Sequence, residues 1–321
     1  MKQENLLLQR PTHRPKKAHE GKVETLFSNT RWCSDSFSIQ CQNGERVHVA
    51  FSLDTCDREA MRYIASTIGI DGPDPDRVNL ASEIETLRRN LNQEEVSRLR
   101  AISNDASEAL NQAMNMIEPT DSEVDVAGEI AEQLWQRNLE PVVLLVAGEE
   151  RIRKYRHPLP TNSEIGGLVM GVICARRRGL IASISRIVKF GEISNEMTDN
   201  YHRLLKVEAA FLKETKPGKT FAEVFKAGER EYAIQGFAKD EWTKHHQGGP
   251  TGYLPRDYPA HEKTVQLINE NNAIAWNPSA EGLKVEDTLI TTASGIEILT
   301  LGSGWPTVEV DGRLRPAILS R

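Results

Sequence analysis

The sequence predicts an α+β protein in which helices cover internal strands. Three observations support this fold class. Long stretches carry apolar residues at helical spacing behind capping signatures, shorter segments alternate between apolar and polar residues, and glycine-bearing turns separate these segments. Residues 69–79 combine glycine, proline and aspartate in the manner of a linker. We therefore expect an amino-terminal segment over 1–70, a linker and the start of a helix over 71–91, and a main domain over 92–321.

Composition narrows the classes of function. The 321 residues are 39% hydrophobic, enough for a sizeable core, and the net charge of −6 disfavours nucleic acid as a partner, although the first twenty residues are basic. The longest apolar run, residues 142–147, is too short to span a bilayer, and the first residues lack the apolar core of a signal peptide. We expect a cytoplasmic protein without membrane association. Four cysteines without paired metal spacing predict reduced thiols: Cys33, Cys41, Cys56 and Cys174.

The amino-terminal segment predicts a hairpin followed by a helix. Apolar residues alternate over 37–39 and again over 47–53, and Asn43-Gly44 between them is a strong hairpin signal because both central residues of such a turn need positive φ. A helix is expected to begin at Asp57 and to run through Ala60 to Ile64.

Three short phrases in this segment carry a resemblance. Residues 31–35 read Arg-Trp-Cys-Ser-Asp, residues 51–54 read Phe-Ser-Leu-Asp, and residues 57–60 read Asp-Arg-Glu-Ala. The segment of roughly 11–70 resembles the start of the catalytic core of bacterial insertion-sequence transposases of the DDE integrase class. The resemblance implies an incomplete RNase-H-like fragment in which Asp35 is the first of three carboxylates that hold two metal ions. No counterpart of the other two is found, so Asp35 is either a metal ligand or an orphan carboxylate at the end of a strand.

The main domain begins with two capped helices. Asn92, with Glu95 three residues on, predicts the start of a long amphipathic helix that Pro119 ends. Thr120 and Glu123 repeat the signature and open a second helix. Thr220 and Glu223 cap a later one. The predicted strands cover 142–146, 168–174, 180–190, 273–276, 288–292 and 296–301, and the later helices cover 195–214 and 221–237.

Several phrases along this order carry a second resemblance. They are Arg156-His157-Pro158, the glycine-rich turn from His245 to Asp257, Trp276-Asn277-Pro278 and Val285-Glu286-Asp287. Over about 79–321 the chain resembles the creatinase, prolidase, aminopeptidase P and methionine aminopeptidase family. The resemblance implies a pita-bread fold that encloses a site within a curved sheet.

Members of that family with a dinuclear metal centre use two aspartates, one histidine and two glutamates, an oxygen-rich set suited to two divalent cations. The resemblance places different residues at the first four positions: Val172, Ser183, Gly249 and Asn277. The last glutamate survives as Glu286. One carboxylate supplies too little charge to offset the dehydration of two cations. We therefore expect a degenerate site with no metal and no cofactor.

The side chains that contact substrate in the family are better preserved in this sequence than the metal ligands. The resemblance implies an acid–base set of His157, His245 and Glu286, and creatinase uses a histidine at the position of His157 for hydrolysis without metal. Simpler interpretations stay open: a solvent-facing loop histidine, a turn histidine that bonds backbone, and a glutamate that caps a turn. Four further residues are candidates for substrate binding: Arg186, His246, Tyr253 and Arg256. Arg186 could clamp a carboxylate or pair with Glu286 as structure.

Three hypotheses of function follow. The first is a member of the pita-bread family that has lost its metal centre and acts as a metal-free hydrolase, or as a binding protein, for a small polar molecule or short peptide that bears a carboxylate. The resemblance also implies a homodimer. The second is a protein related to transposases that acts in DNA integration. The third is an inactive fusion product of transposon insertion, in which residues 1–70 are a passenger.

Overall fold

The computed structural model describes residues 32–40, 46–54, 60–65, 69–70, 78–79 and 81–321. The chain divides into two compact units, Met1–Ser82 and Glu83–Arg321. The division falls within the 71–91 segment that the sequence assigns to a linker and the start of a helix.

The amino-terminal unit contains a three-stranded antiparallel sheet of β1 (Trp32–Gln40), β2 (Arg46–Asp54) and β3 (Ala60–Ala65), in that spatial order. The first two strands are those that alternation predicts, and Asp35 in β1 faces Phe51 in β2 across the ladder. Asn43-Gly44 and Asp57 lie outside the described residues.

The helix predicted through Ala60 to Ile64 is wrong, since these residues form β3 and pair with β2. A free strand edge with unpaired backbone groups offers hydrogen bonds that outweigh the weak helical preference of so short a segment. Two short strands, β4 (Gly69–Ile70) and β5 (Val78–Asn79), pair in parallel within the predicted linker.

The main unit begins with α1 (Ala81–Arg89), α2 (Gln93–Met116) and α3 (Glu123–Gln136). The capping box of α2 is the one predicted: Glu95 donates its backbone N–H to the Asn92 side chain at 2.9 Å, and Asn92 donates its backbone N–H to the Glu95 carboxylate at 2.8 Å.

The cap of α3 differs from the prediction by two residues, because Ser122 and Asp125 form the box instead of Thr120 and Glu123. Ile165 donates its backbone N–H to the carbonyl of Asp121, which holds the preceding residues in a turn outside the helix.

The remaining elements follow in chain order, with a 3-10 helix at Glu241–Lys244 between α5 and β9. They are β6 (Glu140–Gly148), β7 (Leu168–Arg177), β8 (Leu180–Lys189), α4 (Asn195–Glu214), α5 (Phe221–Ile234), β9 (Gly248–Pro250), β10 (Ala273–Trp276), β11 (Ser279–Ala280), β12 (Leu283–Lys284), β13 (Asp287–Thr292), β14 (Gly295–Ile298), β15 (Thr307–Val310), β16 (Arg313–Pro316) and β17 (Leu319–Ser320).

Two four-stranded sheets form the centre of this unit, with spatial orders β17-β8-β7-β6 and β14-β13-β10-β9. Their strands are antiparallel except for β17 and β8. The sheets meet where Ser185 donates its backbone N–H to the carbonyl of Glu286 at 3.0 Å. The strand predicted over 142–146 is buried only from Leu145 onward, because β6 is the edge of its sheet.

Strand β7 separates the two apolar cores. Val169 and Ile173 pack with α2 and α3 in one buried cluster, whereas Met170 and Val172 pack with α4 and α5 in the other. Side chains on successive residues of a strand point to opposite faces, so a continuous apolar run can supply both cores. The second face, which carries Val172, is the one turned towards the residues described next.

Among the described residues, no helix combines the length and the apolar character that crossing a bilayer requires.

Candidate functional site

Three histidines from two separate loops converge on one point. His157 lies between β6 and β7, and His245 and His246 lie immediately before β9. The Nε2 atoms of His157 and His245 are 3.0 Å apart, and one ring nitrogen from each of the three residues lies within 4.8 Å of the other two. We call these three residues the histidine cluster. The structure thus brings together the two histidines that the resemblance selects as catalytic and adds the third, predicted to bind substrate.

Hydrogen bonds of Arg156 and Gln247 fix the two loops that carry the histidine cluster. Arg156 donates to Glu241 of the 3-10 helix at 2.5 Å and also bonds the carbonyl of Ala280. Gln247 donates its side-chain N–H to the carbonyl of His245 at 2.7 Å and accepts from the Tyr232 hydroxyl at 2.9 Å. The backbone on both sides of the cluster is therefore fixed by buried or half-buried polar contacts.

The imidazoles are neutral at neutral pH. Burial lowers the pKa of His245 and His246, and partial burial lowers that of His157, which also has an exposed part. Positive neighbours lower the pKa further: Lys284 for His157 and His245, and Arg256 for His246, whose pKa falls to about 4. A neutral imidazole has one lone pair available for a proton, a hydrogen bond or a metal ion.

A buried carboxylate and two cations lie beside the histidine cluster. Glu286 is 2% exposed, and its two oxygens accept from Arg256 Nη2 at 3.1 Å and from Lys284 Nζ at 3.2 Å. Burial alone raises the pKa of Glu286, but these two cations outweigh it and lower the pKa. Glu286 is therefore ionised, and the three groups together carry one net positive charge.

The residues at the five positions that the resemblance assigns to the dinuclear metal ligands do not fit a pair of divalent cations. Val172 packs in the apolar cluster with α4 and α5, and Glu286 already has a cation on each oxygen. Gly249 has a φ of +147°, and a Cβ placed there would lie 2.6 Å from the carbonyl oxygen of Tyr258, so a histidine needs a different backbone. Hard dications prefer oxygen donors, and the remaining pair, Ser183 and Asn277, adds no charge.

Arg186 is not available to a ligand, which corrects the predicted role. Its side chain is 1% exposed and donates to Asp287 Oδ1 at 3.1 and 3.2 Å and to the carbonyl of Thr300 at 2.7 Å. The alternative pairing with Glu286 is also wrong, because the partner is Asp287. Arg315 joins the same carboxylate to Glu208, so these buried charges form one structural network.

The other two candidates from the glycine-rich turn also have partners. The Tyr253 hydroxyl bonds the Glu95 carboxylate, and the ring lies against Gly179. Tyr253 therefore contacts α2 and the β7–β8 turn. Arg256 donates to the carbonyls of Gly249 at 2.9 Å and Ala275 at 2.7 Å besides Glu286, which makes it a scaffold residue as well as a charge in the site.

Sequence reasoning missed two residues of the site. Lys284 is 4% exposed and lies two residues before Glu286, so strand alternation already indicates that the two share a face. Cys174 is buried, and its sulfur lies 3.3 Å from the Ser183 hydroxyl. Burial and the charge of Glu286 raise the pKa of the Cys174 thiol to about 11, which excludes a thiolate nucleophile at neutral pH.

Comparison with known proteins supports the fold and the two-part organisation. Residues 97–296 match the sequence model of metallopeptidase family M24. The chain is similar in structure to an Xaa-Pro dipeptidase from Bacillus anthracis, with a TM-score of 0.64 and 20% identity over 74% of this chain and 66% of that one. It is also similar to the prolidase from Pyrococcus furiosus, with a TM-score of 0.67 and 19% identity over 79% and 90%. At these identities the likeness shows the fold, which is the predicted pita-bread fold.

The amino-terminal part is similar to a different class of protein. A stretch of 73 residues is 49% identical to the putative transposase InsD for insertion element IS2E of Escherichia coli K12. It is equally similar to the transposase InsD for insertion element IS2A/D/F/H/I/K of Escherichia coli. This confirms the resemblance of the amino-terminal segment. The match spans 34% of the first relative and 24% of the second, so the activity of a whole transposase does not transfer with it.

Proposed function

We propose that this chain, which belongs to metallopeptidase family M24, has lost the dinuclear metal centre at the five family positions and binds a small polar ligand through a carboxylate. The observation that carries the proposal is the charge of the site. Lys284 and Arg256 surround the single carboxylate of Glu286, and a net positive charge remains beside neutral imidazoles. A buried positive charge is offset by an anion, and a carboxylate is the anion that a small peptide or amino-acid derivative carries.

The histidine cluster gives this ligand its polar contacts. His157 is exposed and His245 is buried, so the cluster leads from solvent to the charged group. Neutral imidazoles accept or donate one hydrogen bond at each ring nitrogen and can take up a proton from a bound molecule. Hydrolysis without a metal is the second candidate activity, and the 3.0 Å contact between His157 and His245 favours it because one ring can fix the tautomer of the other.

Thermal shift with matched ligands tests the binding. In the presence of a chelator, a dipeptide such as Ala-Pro should raise the unfolding temperature, and the same dipeptide with an amidated carboxyl group should not. The shift should disappear in Lys284→Gln and persist in Lys244→Gln, an exposed lysine that pairs with Glu241. Equal shifts with the acid and the amide, or an undiminished shift in Lys284→Gln, would contradict the proposal.

A function in DNA integration is the alternative that the InsD-like stretch supports. It predicts salt-dependent binding to the ends of insertion sequences, and strand cleavage that Asp35→Ala abolishes. If the full chain neither binds these DNA ends nor cleaves a strand, a function in DNA integration is excluded.

A further inference from the structure

We propose that the histidine cluster is a site for one divalent transition-metal ion, separate from the five positions of the dinuclear centre. None of its members, His157, His245 or His246, occupies one of those positions. The proposal concerns a single ion with nitrogen ligands, where the family centre holds two ions with mainly oxygen ligands.

The spacing of the ring nitrogens suits a tetrahedral ion. Ligand nitrogens about 2.0–2.1 Å from zinc lie roughly 3.3 Å from one another in a tetrahedral site. The Nε2 atoms of His157 and His245 are 3.0 Å apart, and the nitrogen of His246 lies within 4.8 Å of both. A shift of a few tenths of an ångström brings the His157 and His245 nitrogens to this spacing, and a ring movement of up to about 1.5 Å brings the His246 nitrogen to it.

The free ring nitrogens give a second observation. His245 is 94% buried, and among the described residues its Nδ1 atom and that of His246 have no hydrogen-bond partner. No hydrogen bond at Nδ1 therefore fixes the tautomer of the His245 ring, so its proton can lie on Nδ1 and leave the lone pair of Nε2 free. The Nε2 atom faces His157 Nε2 at 3.0 Å, and an ion between the two rings would bind both of these lone pairs.

The charged neighbours define which ion binds and what else binds with it. Lys284 and Arg256 repel a dication and Glu286 attracts it, so the three groups together repel the ion with one net positive charge. Neutral imidazole ligands prefer Zn²⁺, Cu²⁺, Ni²⁺ or Co²⁺ to Mg²⁺ and Mn²⁺, so the ion that overcomes this repulsion is one with strong bonds to nitrogen. Since His157 is exposed, the fourth ligand position is open to water or to an anionic molecule.

The experiment uses the full chain after removal of metals by a chelator. Titration with Co²⁺ should give the visible absorption of a tetrahedral complex that saturates at one equivalent, and titration calorimetry with Zn²⁺ should give the same stoichiometry. Mn²⁺ should not bind in the same concentration range. Binding should be lost in His157→Ala, an exposed loop residue whose replacement leaves the core intact, and in His246→Ala. The matched control His202→Ala changes an exposed histidine on α4 and should bind as the parent does.

A further variant tests the role of charge. Lys284→Gln removes one cation and frees an oxygen of Glu286, so it should tighten Zn²⁺ binding on the order of tenfold. Absence of Co²⁺ and Zn²⁺ binding, saturation at two equivalents, or unchanged binding in both His157→Ala and His246→Ala would overturn the proposal. The carboxylate test above is done with chelator present, so the two proposals fail independently.

Discussion

Glu286 is a buried carboxylate whose neighbours decide what it does. With Arg256 and Lys284 on its two oxygens it is an ionised partner of two cations, and it cannot donate a proton as a general acid at neutral pH. Glu286 holds two positive groups in place and balances the charge of one of them, while the catalytic role predicted for it stays a prediction.

Removal of this carboxylate should destabilise the protein strongly. Glu286→Gln leaves Arg256 and Lys284 buried without a counter-charge, and we expect the free energy of unfolding to fall by about 3–5 kcal/mol, as when one partner of a buried ion pair is removed. Urea unfolding measures this loss. Glu281→Gln, an exposed position on the β11–β12 turn, should cost less than about 0.5 kcal/mol. Adding Lys284→Met to Glu286→Gln should recover part of the lost free energy of unfolding, because it removes one of the two buried cations. If Glu286→Gln alone loses no more than Glu281→Gln, the buried charges do not depend on Glu286.

Gly249, the position that the resemblance assigns to the family histidine, has no room for a side chain in this backbone. Its φ of +147° disfavours any side chain, and the Tyr258 carbonyl oxygen would lie 2.6 Å from a Cβ. Gly249→Ala should therefore be destabilising by strain and by overpacking together, about 2–4 kcal/mol. The control Gly304→Ala has positive φ, at +82°, but no heavy atom within 4 Å of the Cβ, and should lose only about 1 kcal/mol. The free energy of unfolding of both variants is measured by chemical denaturation. If the two variants lose comparable amounts, overpacking against the Tyr258 carbonyl does not contribute.

At the scale of elements, local hydrogen bonds define where the helices begin. The caps of α2 and α5 join residues three apart in the chain, so they form from the sequence alone. The cap of α3 follows the same chemistry, but a hydrogen bond from distant Ile165 selects Ser122 over Thr120.

The capping box of α5 should be visible in the pH dependence of stability. The Thr220 backbone N–H and the Lys219 ammonium lower the pKa of Glu223 to about 2, below its unfolded value. This carboxylate binds fewer protons in the folded state, so its contribution is present above about pH 4.5 and is lost as the pH falls towards 2. Between pH 6 and pH 4 the parent should therefore lose more stability than Glu223→Gln does.

The matched control for this effect is Glu229→Gln on the same helix. It should keep the full pH dependence of the parent when unfolding is followed by urea titration at each pH. If the free energy of unfolding falls equally in the parent and in Glu223→Gln between pH 6 and pH 4, the ionisation of the capping carboxylate does not contribute to stability.

At the scale of the whole molecule, the two compact units correspond to two different kinds of relative. In the part of the chain whose burial the structure describes, two apolar clusters lie within the main unit, so this unit has its own source of stability. Its pita-bread fold is that of the Xaa-Pro dipeptidase and the prolidase to which the chain is similar.

Residues 79–321 expressed alone should therefore fold. We expect an unfolding temperature within about 2 °C of that of the full chain and the same response to Ala-Pro, since the site and both clusters are retained. Differential scanning calorimetry of the two chains provides the comparison. Aggregation of the shorter chain, or a midpoint lower by more than about 5 °C, would mean that residues 1–78 contribute to the stability of the main unit.

The sequence by itself determined most of the elements and the positions that matter. Apolar periodicity and capping signatures give α2, α4, α5 and β10 because these features act between residues close in the chain. The phrases around His157, His245 and Glu286 identify the family and predict a site without any knowledge of distances.

Only the tertiary structure decided how those positions are paired and arranged. It turned residues 60–65 into a strand, paired Arg186 with Asp287, placed Lys284 against Glu286, and brought the nitrogens of His157 and His245 to 3.0 Å. Long-range contacts of this kind join segments that are far apart in the chain and depend on how two sheets and two loops pack. Local preferences carry no information about such contacts, so the chemistry of the site appears only when the fold is complete.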